Sequence, residues 1–491
     1  MTALISKDGQ LQIGQENISL SCHNELSKIQ GSAANKPLMP PTLEPLSKND
    51  VQTLQNRMSS NKGITFDSIS DVFLRKTKIT SLLTNLWSQE CIQAMWETIG
   101  FARLIPLNKK WPGIPGPEDF RPIVILSPFF KFLESRFLQK LNKYLLQSME
   151  KSQVGFVPGF GTMTNIRRMV QSIRGLKAKD RKSLLFIDFS SADNTVNRED
   201  LYAALKRKNV FSHNELELIK ALHSLVHFKS LGKIIYYPNG HPQGSVLSPS
   251  PFDVYIEELL VHLKTQFPQI TMFAFADDLA FVVNDEDLEE FIGKLEVKAA
   301  ALSLKINKSK SATMSLWRNK QGDEESIRGY PLCWEYKYLG VWIDQKGSIR
   351  QHLKAPQPEG LLPQQPFVLD NPPAVNAQED LFWKCLVRPY FLYLSCILDL
   401  YPSSTRYKVA NLWKRTLKEV ANLPKNSPDP IIMKLGDDPK LCGEYVAART
   451  NLSTKAMLRL TPTSKNGVPK ATRISGSILR GVPSNLGSIF R

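Results

Sequence analysis

The 491-residue chain is short of cysteine, of long apolar runs and of acidic charge, and each shortage excludes something. Its six cysteines (Cys22, Cys91, Cys333, Cys385, Cys396, Cys442) stand singly, with no C-x-x-C pair, and Cys22-His23 has no second half nearby. That argues against a zinc finger and a disulfide framework and suits a reducing compartment. No stretch reaches the roughly 18 clean apolar residues of a membrane span. The most apolar one, VRPYFLYLSCILDLY, is interrupted by Arg388 and Asp399. The opening MTALISKDGQ lacks the apolar core of a secretory signal. An intracellular protein without a membrane partner is expected. Asp and Glu number 46 against 63 Lys and Arg, a formal net charge of +17. An excess of that size makes a polyanion, nucleic acid first, the partner to consider.

What is present is ordinary globular material, 42% hydrophobic and 22% charged, which excludes wholesale disorder. Residues 1–42 are polar, end in Pro40-Pro41 and read as a poorly ordered leader. A globular pattern runs from 43 to about 353. Six prolines within 355–375 then mark a linker, placed at 354–378. A helical region is expected over 379–460, where Val409, Leu412, Trp413, Leu417 and Val420 form one apolar face behind a Ser403 or Ser404 cap. From 461 the chain reads as a basic tail. Residues 442–491 hold eight Lys and Arg against a single acidic residue, Glu444, so the tail is either a solvated end or a nucleic-acid grip.

Within the globular part strands and helices alternate. SLLFIDF (183–189) reads as a buried strand, 199–206 and 214–227 as helices, and 233–237 as a strand. A helix starting near Ser248 carries Phe252, Tyr255, Ile256, Leu259, Leu260 and Leu263 at i, i+3, i+4, i+7 spacing. Strands over 271–276 and 279–283 flank Asp277-Asp278, and a second amphipathic helix follows with Leu288, Phe291, Ile292, Leu295 and Leu302. This order predicts an α+β split-βαβ sheet with helices packed on one side.

The chemistry concentrates in FAFADDLAFVV (273–283). Adjacent aspartates between strands are often only a turn. Asp188, however, ends the apolar strand LLFID, an expensive place for an unpaired carboxylate. If the two strands are neighbours, Asp188 meets Asp277 and Asp278 at one sheet edge. Such a cluster of hard oxygens suits Mg²⁺ or Mn²⁺. Two ions about 3.5–4 Å apart would then support in-line phosphoryl transfer.

These segments occur in an order that resembles the reverse transcriptase region of a non-LTR (LINE-type) retrotransposon. NKGITFDSIS (61–70) resembles that family's N-terminal finger extension. ARLIPLNKK with DFRPIVILSPFFKFLESRFLQKL (102–141) resembles its finger motifs, and SQVGFVPGFGTMTNI (152–166) the segment before the first catalytic strand. LLFIDFSSADNTVNR (184–198) resembles the first catalytic motif, GHPQGSVLSP (240–249) the loop lining template and nucleotide, and FAFADD the metal box. LKINKSKS (304–311) and YKYLGVWID (336–344) resemble the motifs closing the palm, and RPY with NLWKRTLKEVANLP the thumb.

The resemblance implies a right-hand polymerase fold, with fingers over 43–182, a palm with a ferredoxin-like split βαβ sheet over 183–353 and a helical thumb over 379–460. It implies an RNA-directed DNA polymerase that extends a primer 3′-OH with dNTPs. RNA template, DNA primer or RNA–DNA hybrid, and two Mg²⁺ ions (or Mn²⁺) would be its partners, and the nucleus its place. Asp188 and Asp277 would be the main metal ligands, with Asp278 less certain as a direct one. Lys109 or Lys110 and Arg121 would hold the triphosphate, a guanidinium matching phosphate through paired N–H donors. Gln243 and Gly244 would lie along the base pair, the glycine allowing close backbone approach. Lys310 would protonate departing pyrophosphate or is a plain surface lysine. Tyr338, Leu339 and Gly340 would form the primer grip.

Three departures from the family pattern bear on activity. Asp193 occupies the nucleotide-binding position where an aromatic ring normally blocks a ribose 2′-OH, with Asn194 beside it. A carboxylate next to a triphosphate is electrostatically awkward. SPSPF puts a second proline into a helix first turn, and the 355–375 prolines interrupt the palm-to-thumb connection. No Cys/His knuckle or endonuclease-sized segment is expected. A catalytically weak or inactive remnant that binds RNA is the alternative reading, and a polymerase accepting ribonucleotides a third.

Overall fold

The computed structural model describes residues 3–5, 11–13, 37–58, 71–108, 113, 114, 116, 120–177, 179–190, 196–230, 233–237, 242, 244–247, 249–317, 326–354, 391, 393, 394 and 397–420. Ala3–Ile5 pairs with Leu11–Ile13 in a short hairpin. From residue 37 the chain forms an extended strap. The indole N–H groups of Trp96 and Trp87 donate to the carbonyls of Leu38 and Glu44, both at 2.8 Å. Residues 37–42 of the expected leader are thus tied down, because buried tryptophans need acceptors.

Helix α1 (Lys48–Arg57) starts from a reciprocal Ser47/Asp50 cap and α2 (Gln89–Ile99) from Ser88. Strands β1 (Ala102–Asn108) and β2 (Phe120–Leu126) form an antiparallel hairpin. Two helices follow, α3 (Pro128–Gln147) and α4 (Thr162–Arg174). Next come β3 (Lys182–Ile187), α5 (Arg198–Arg207) and α6 (His213–Leu225). A hairpin joins β4 (His227–Ser230) to β5 (Lys233–Tyr236). Helix α7 (Pro249–Gln266) precedes β6 (Thr271–Phe275) and β7 (Asp278–Asn284), and α8 (Leu288–Ala301) precedes β8 (Ala312–Ser315). A hairpin of β9 (Glu335–Tyr338) and β10 (Val341–Asp344) and the helix α9 (Ser403–Val420) complete the elements used below. Both prolines of SPSPF sit in the first turn of α7, where N–H groups have no intrahelical acceptor, so the second is tolerated like the first. Among the described residues no helix is long and apolar enough to cross a membrane.

The central sheet has the spatial order β8-β3-β7-β6 with every neighbouring pair antiparallel. In chain order that is fourth, first, third, second, the arrangement of a split β-α-β unit. The expectation that helices cover one side only is corrected here. On one face Leu185, Ile187, Leu279 and Phe281 pack with α7 and α8. On the other, Leu184, Phe186, Ala280 and Val282 pack with α4 and the β9–β10 hairpin. The reason is in the strands themselves. Leu184 to Ile187 and Leu279 to Val283 are buried without alternation, so both faces must be removed from water. Burying each such side chain stabilises the fold by about 1.5–3 kcal/mol before entropy is counted.

Candidate active site

The sheet register sets the position of the first carboxylate. Ile187 pairs with Leu279, so one step further Asp188 stands across from Asp278. Side chains alternate along a strand, which puts both on the face of Phe186 and Ala280. Asp277 and Ala276 form the two-residue turn between Phe275 and Asp278, with Ala276 at φ +54°. Burial raises the Asp188 carboxyl above the usual carboxylate range, and the Lys310 ammonium pulls it part of the way back. Burial raises Asp278 as well, and the charge of Asp188 adds to the rise. Asp278 keeps an open side to solvent although protein crowds the rest of it. Two carboxylates that disfavour each other's charge at an accessible sheet edge are the donor set a divalent cation relieves.

The three-aspartate cage expected from the sequence takes a different form. Among the described residues no three His, Cys, Asp or Glu side chains converge to hold a metal. Asp188 and Asp278 face one another, while Asp277 sits on the turn, outside the strand ladder that fixes the direction of Asp278. Asp278 is thus a carboxylate that electrostatics ties to Asp188. The pair fits a hard cation, with its remaining coordination to come from other oxygens.

Residues 305–311 brace the end of β3. The backbone N–H of Asp188 donates to Ser311 Oγ at 3.1 Å, and the N–H of Asn307 to the Asp188 carbonyl at 2.8 Å. Lys310 follows on the same turn with its side chain exposed, and the Tyr336 hydroxyl holds its carbonyl at 2.9 Å. Tyr336 in turn stacks on Phe186 at 3.9 Å and 11°. An aromatic layer thus lies directly beneath the strand that ends in Asp188.

The loop containing Gly244 is held from below. A Cβ there would lie 1.9 Å from the Val124 carbonyl, and its φ is +142°. The close approach seen here that requires glycine is to β2 of this chain. The Glu134 carboxylate, fully buried on α3, accepts from Ser245 Oγ and from the Val246 N–H at 3.0 Å. Burial pushes Glu134 up to about 7. His223, also buried, brings its Nε2 to 3.8 Å from Glu134.

Tyr338 is buried and its hydroxyl donates to the Phe273 carbonyl at 3.4 Å. Leu339 and Gly340 form the β9–β10 turn with φ +46° and +85°. The Tyr393 hydroxyl donates to the Leu339 carbonyl at 2.5 Å. Lys109, Lys110, Asp193 and Gln243 lie outside the described residues. Arg121 lies on β2 opposite Leu107, its side chain outside the described set.

Residues 108–343 match the sequence profile of the family described as reverse transcriptase (RNA-dependent DNA polymerase). This part of the chain is similar to reverse transcriptase domains. It contains Asp188, Asp277, Asp278, Lys310 and the Tyr338–Gly340 turn, and its α+β architecture is of the right-hand polymerase class. Curated relatives agree. The RNA-directed DNA polymerase from mobile element jockey of Drosophila melanogaster is 22% identical over 429 residues, 79% of this chain and 46% of that protein. The Drosophila funebris counterpart is 22% identical over 62% of this chain and 36% of its own length. A probable RNA-directed DNA polymerase from transposon BS of Drosophila melanogaster is 25% identical over 66% and 38%. The chain thus spans under half the length of these relatives. Solved structures similar to the chain include telomerases from Candida albicans (TM-score 0.37) and Candida tropicalis (TM-score 0.42), each in complex with a TWJ fragment of telomeric RNA. Each is 11% identical, over 90% of this chain and 80% of that one.

Two residues beneath the candidate site were not singled out from sequence, Glu134 and Gln153. The only available signal was their place inside motif-like segments. Nothing in residue type reveals that a buried carboxyl or amide points at a functional loop.

Proposed function

We propose that this chain is an RNA-directed DNA polymerase of the non-LTR retrotransposon type. The single observation that carries the reading is the Asp188–Asp278 pair, facing across the ends of the two central strands β3 and β7 of a split-βαβ sheet. In the proposed reaction the 3′-oxygen of a primer bonds to the α-phosphorus of a dNTP, the bond to pyrophosphate breaks, and template pairing selects the nucleotide. Bound Mg²⁺ or Mn²⁺ would supply charge neutralisation at the phosphates and activation of the attacking oxygen. Asp188 and Asp278 would hold that cation, and the 305–311 brace and the Phe186–Tyr336 stack keep Asp188 in register. Lys310 would face the leaving pyrophosphate, donating a proton from Nζ. Glu134 would fix the loop along which the template base pair lies. Most of the rate gain would come from holding the groups in place.

The test is primer extension by the intact chain on an RNA template with Mg²⁺ and dNTPs. The reading expects template-directed product that disappears in Asp188→Ala. No product from the unaltered chain, or undiminished product from Asp188→Ala, rejects it. A second reading rests on Asp193, which stands where a ring would exclude the ribose 2′-OH. It expects either extension with rNTPs at rates close to dNTPs, or salt-sensitive RNA binding with no extension at all.

A further inference from the structure

The carboxylate turn contains a residue with an uncomfortable backbone. Ala276 sits at φ +54°, immediately before Asp277 and Asp278. An L-residue with a Cβ disfavours this region, and glycine adopts it freely. Something must hold Ala276 there, and one side chain bonds both of its backbone polar groups. The Gln153 carboxamide accepts from the Ala276 N–H through Oε1 at 2.9 Å and donates to the Ala276 carbonyl through Nε2 at 3.1 Å. The same Oε1 accepts from the Gly155 N–H at 2.8 Å. The amide orientation follows from these partners, since a flipped amide would set its NH₂ against two N–H donors. Gln153 is almost fully buried, so water does not compete for these bonds.

The surrounding segment leaves the amide little freedom. Residues 152–154 lie against the outer edge strand β6. The Val154 N–H donates to the Ala274 carbonyl at 2.9 Å, and the Ala274 N–H to the Ser152 carbonyl at 3.0 Å. Gly155 completes the fit, since a Cβ there would lie 2.3 Å from the Ala276 nitrogen.

We propose that Gln153 is a positioning residue that locks the peptide units around Ala276 and so sets the direction of Asp277 and Asp278. An amide suits the task because it donates and accepts at once. Glutamate loses the donor and buries a charge; methionine fills the same space without polar atoms. The proposal rests on the polymerase reading for its catalytic consequence but not for its structural one.

The experiment compares the intact chain with Gln153→Met and with Gln153→Met/Ala276→Gly. Glycine takes the positive φ without help, so it replaces the clamp but does not repair a general packing fault. Hydrogen exchange across 273–283 and primer extension are both read. Gln153→Met is expected to speed exchange at the Ala276 amide at least about tenfold. It is expected to lower kcat about 100-fold, the scale of an ångström's misplacement, with the KM for dNTP within about threefold. The double variant is expected to regain at least about tenfold in kcat. Unchanged exchange in Gln153→Met, or a double variant no better than the single one, overturns the proposal. If Gln153→Met does not fold, Gln153→Leu, which also removes both polar groups, gives the same exchange comparison. Should the unaltered chain extend no primer, the polymerase reading fails, while the exchange result still decides the clamp.

Discussion

Two tight turns in this molecule solve the same problem by different means. The Ala276-Asp277 turn joins β6 to β7 and carries the carboxylates; the Leu339-Gly340 turn joins β9 to β10 and carries the proposed primer grip. Each places a non-glycine residue at positive φ, Ala276 at +54° and Leu339 at +46°. The first is bonded at both its N–H and its carbonyl by the Gln153 amide from within the palm sheet's border. The second has glycine in its other central position, and its leading carbonyl is held by the Tyr393 hydroxyl, more than fifty residues along the chain. Both turns are therefore fixed from elsewhere in the chain, the carboxylate turn at both backbone groups by a side chain 123 residues before it and the grip turn at one carbonyl by a hydroxyl 54 residues after it.

The comparison can be broken most forcefully at the carboxylates. Asp278→Asn is expected to lower RNA-templated extension by about 10³-fold, an effect of roughly 4 kcal/mol on the transition state. Asp277→Asn, which removes the carboxylate of the turn itself, is expected to lower it by a comparable factor. Single-turnover rates of the two variants side by side check this, and full activity in either would contradict it.

A titratable version of the clamp sits under the loop containing Gly244, where Glu134 holds Ser245 and Val246. Its carboxyl is raised from 4.5 to about 7 by burial. The folded state therefore keeps the proton longer than the unfolded one. Its contribution is fully present below about pH 4.5 and is lost as pH rises towards 7, by up to about 3 kcal/mol. Thermal melts of the intact chain and of Glu134→Gln between pH 4.5 and 8 should differ by that slope. Identical pH profiles would mean Glu134 titrates normally.

Smaller effects sharpen the contrast at the grip turn. Tyr393→Phe removes the hydroxyl donor to Leu339 and is expected to destabilise by about 1 kcal/mol. Leu339→Gly relieves the left-handed backbone but loses side-chain contact and unfolded-state restraint, so its net change is expected within about 1 kcal/mol. Denaturant melts of the two variants check both values. A larger loss from Leu339→Gly than from Tyr393→Phe would show that the leucine side chain, not the tyrosine hydroxyl, holds the turn.

Much of this was legible in the residues. Helices α7 and α8 follow from apolar spacing, and all of Phe252, Tyr255, Ile256, Leu259, Leu260 and Leu263 are buried as that spacing requires. Sheet neighbours followed from the order of strands and from Asp188 closing an apolar run. Coverage of both sheet faces was missed although the unalternating LLFI and LAFVV segments carried the signal. That Asp188 stands across from Asp278 was not readable, because it depends on a register that only strand pairing sets. Gln153 and Glu134 were invisible for a different reason. Their function lies in which backbone atoms their side chains reach, across 123 and 111 residues of chain.

The central claim is that Asp188 and Asp278 together hold a divalent cation. Titrating the intact chain with Mn²⁺ and reading free ion by electron paramagnetic resonance tests it without requiring catalysis. Saturable binding that weakens at least about tenfold in both Asp188→Asn and Asp278→Asn is the predicted result. Binding that either substitution leaves unchanged would contradict it.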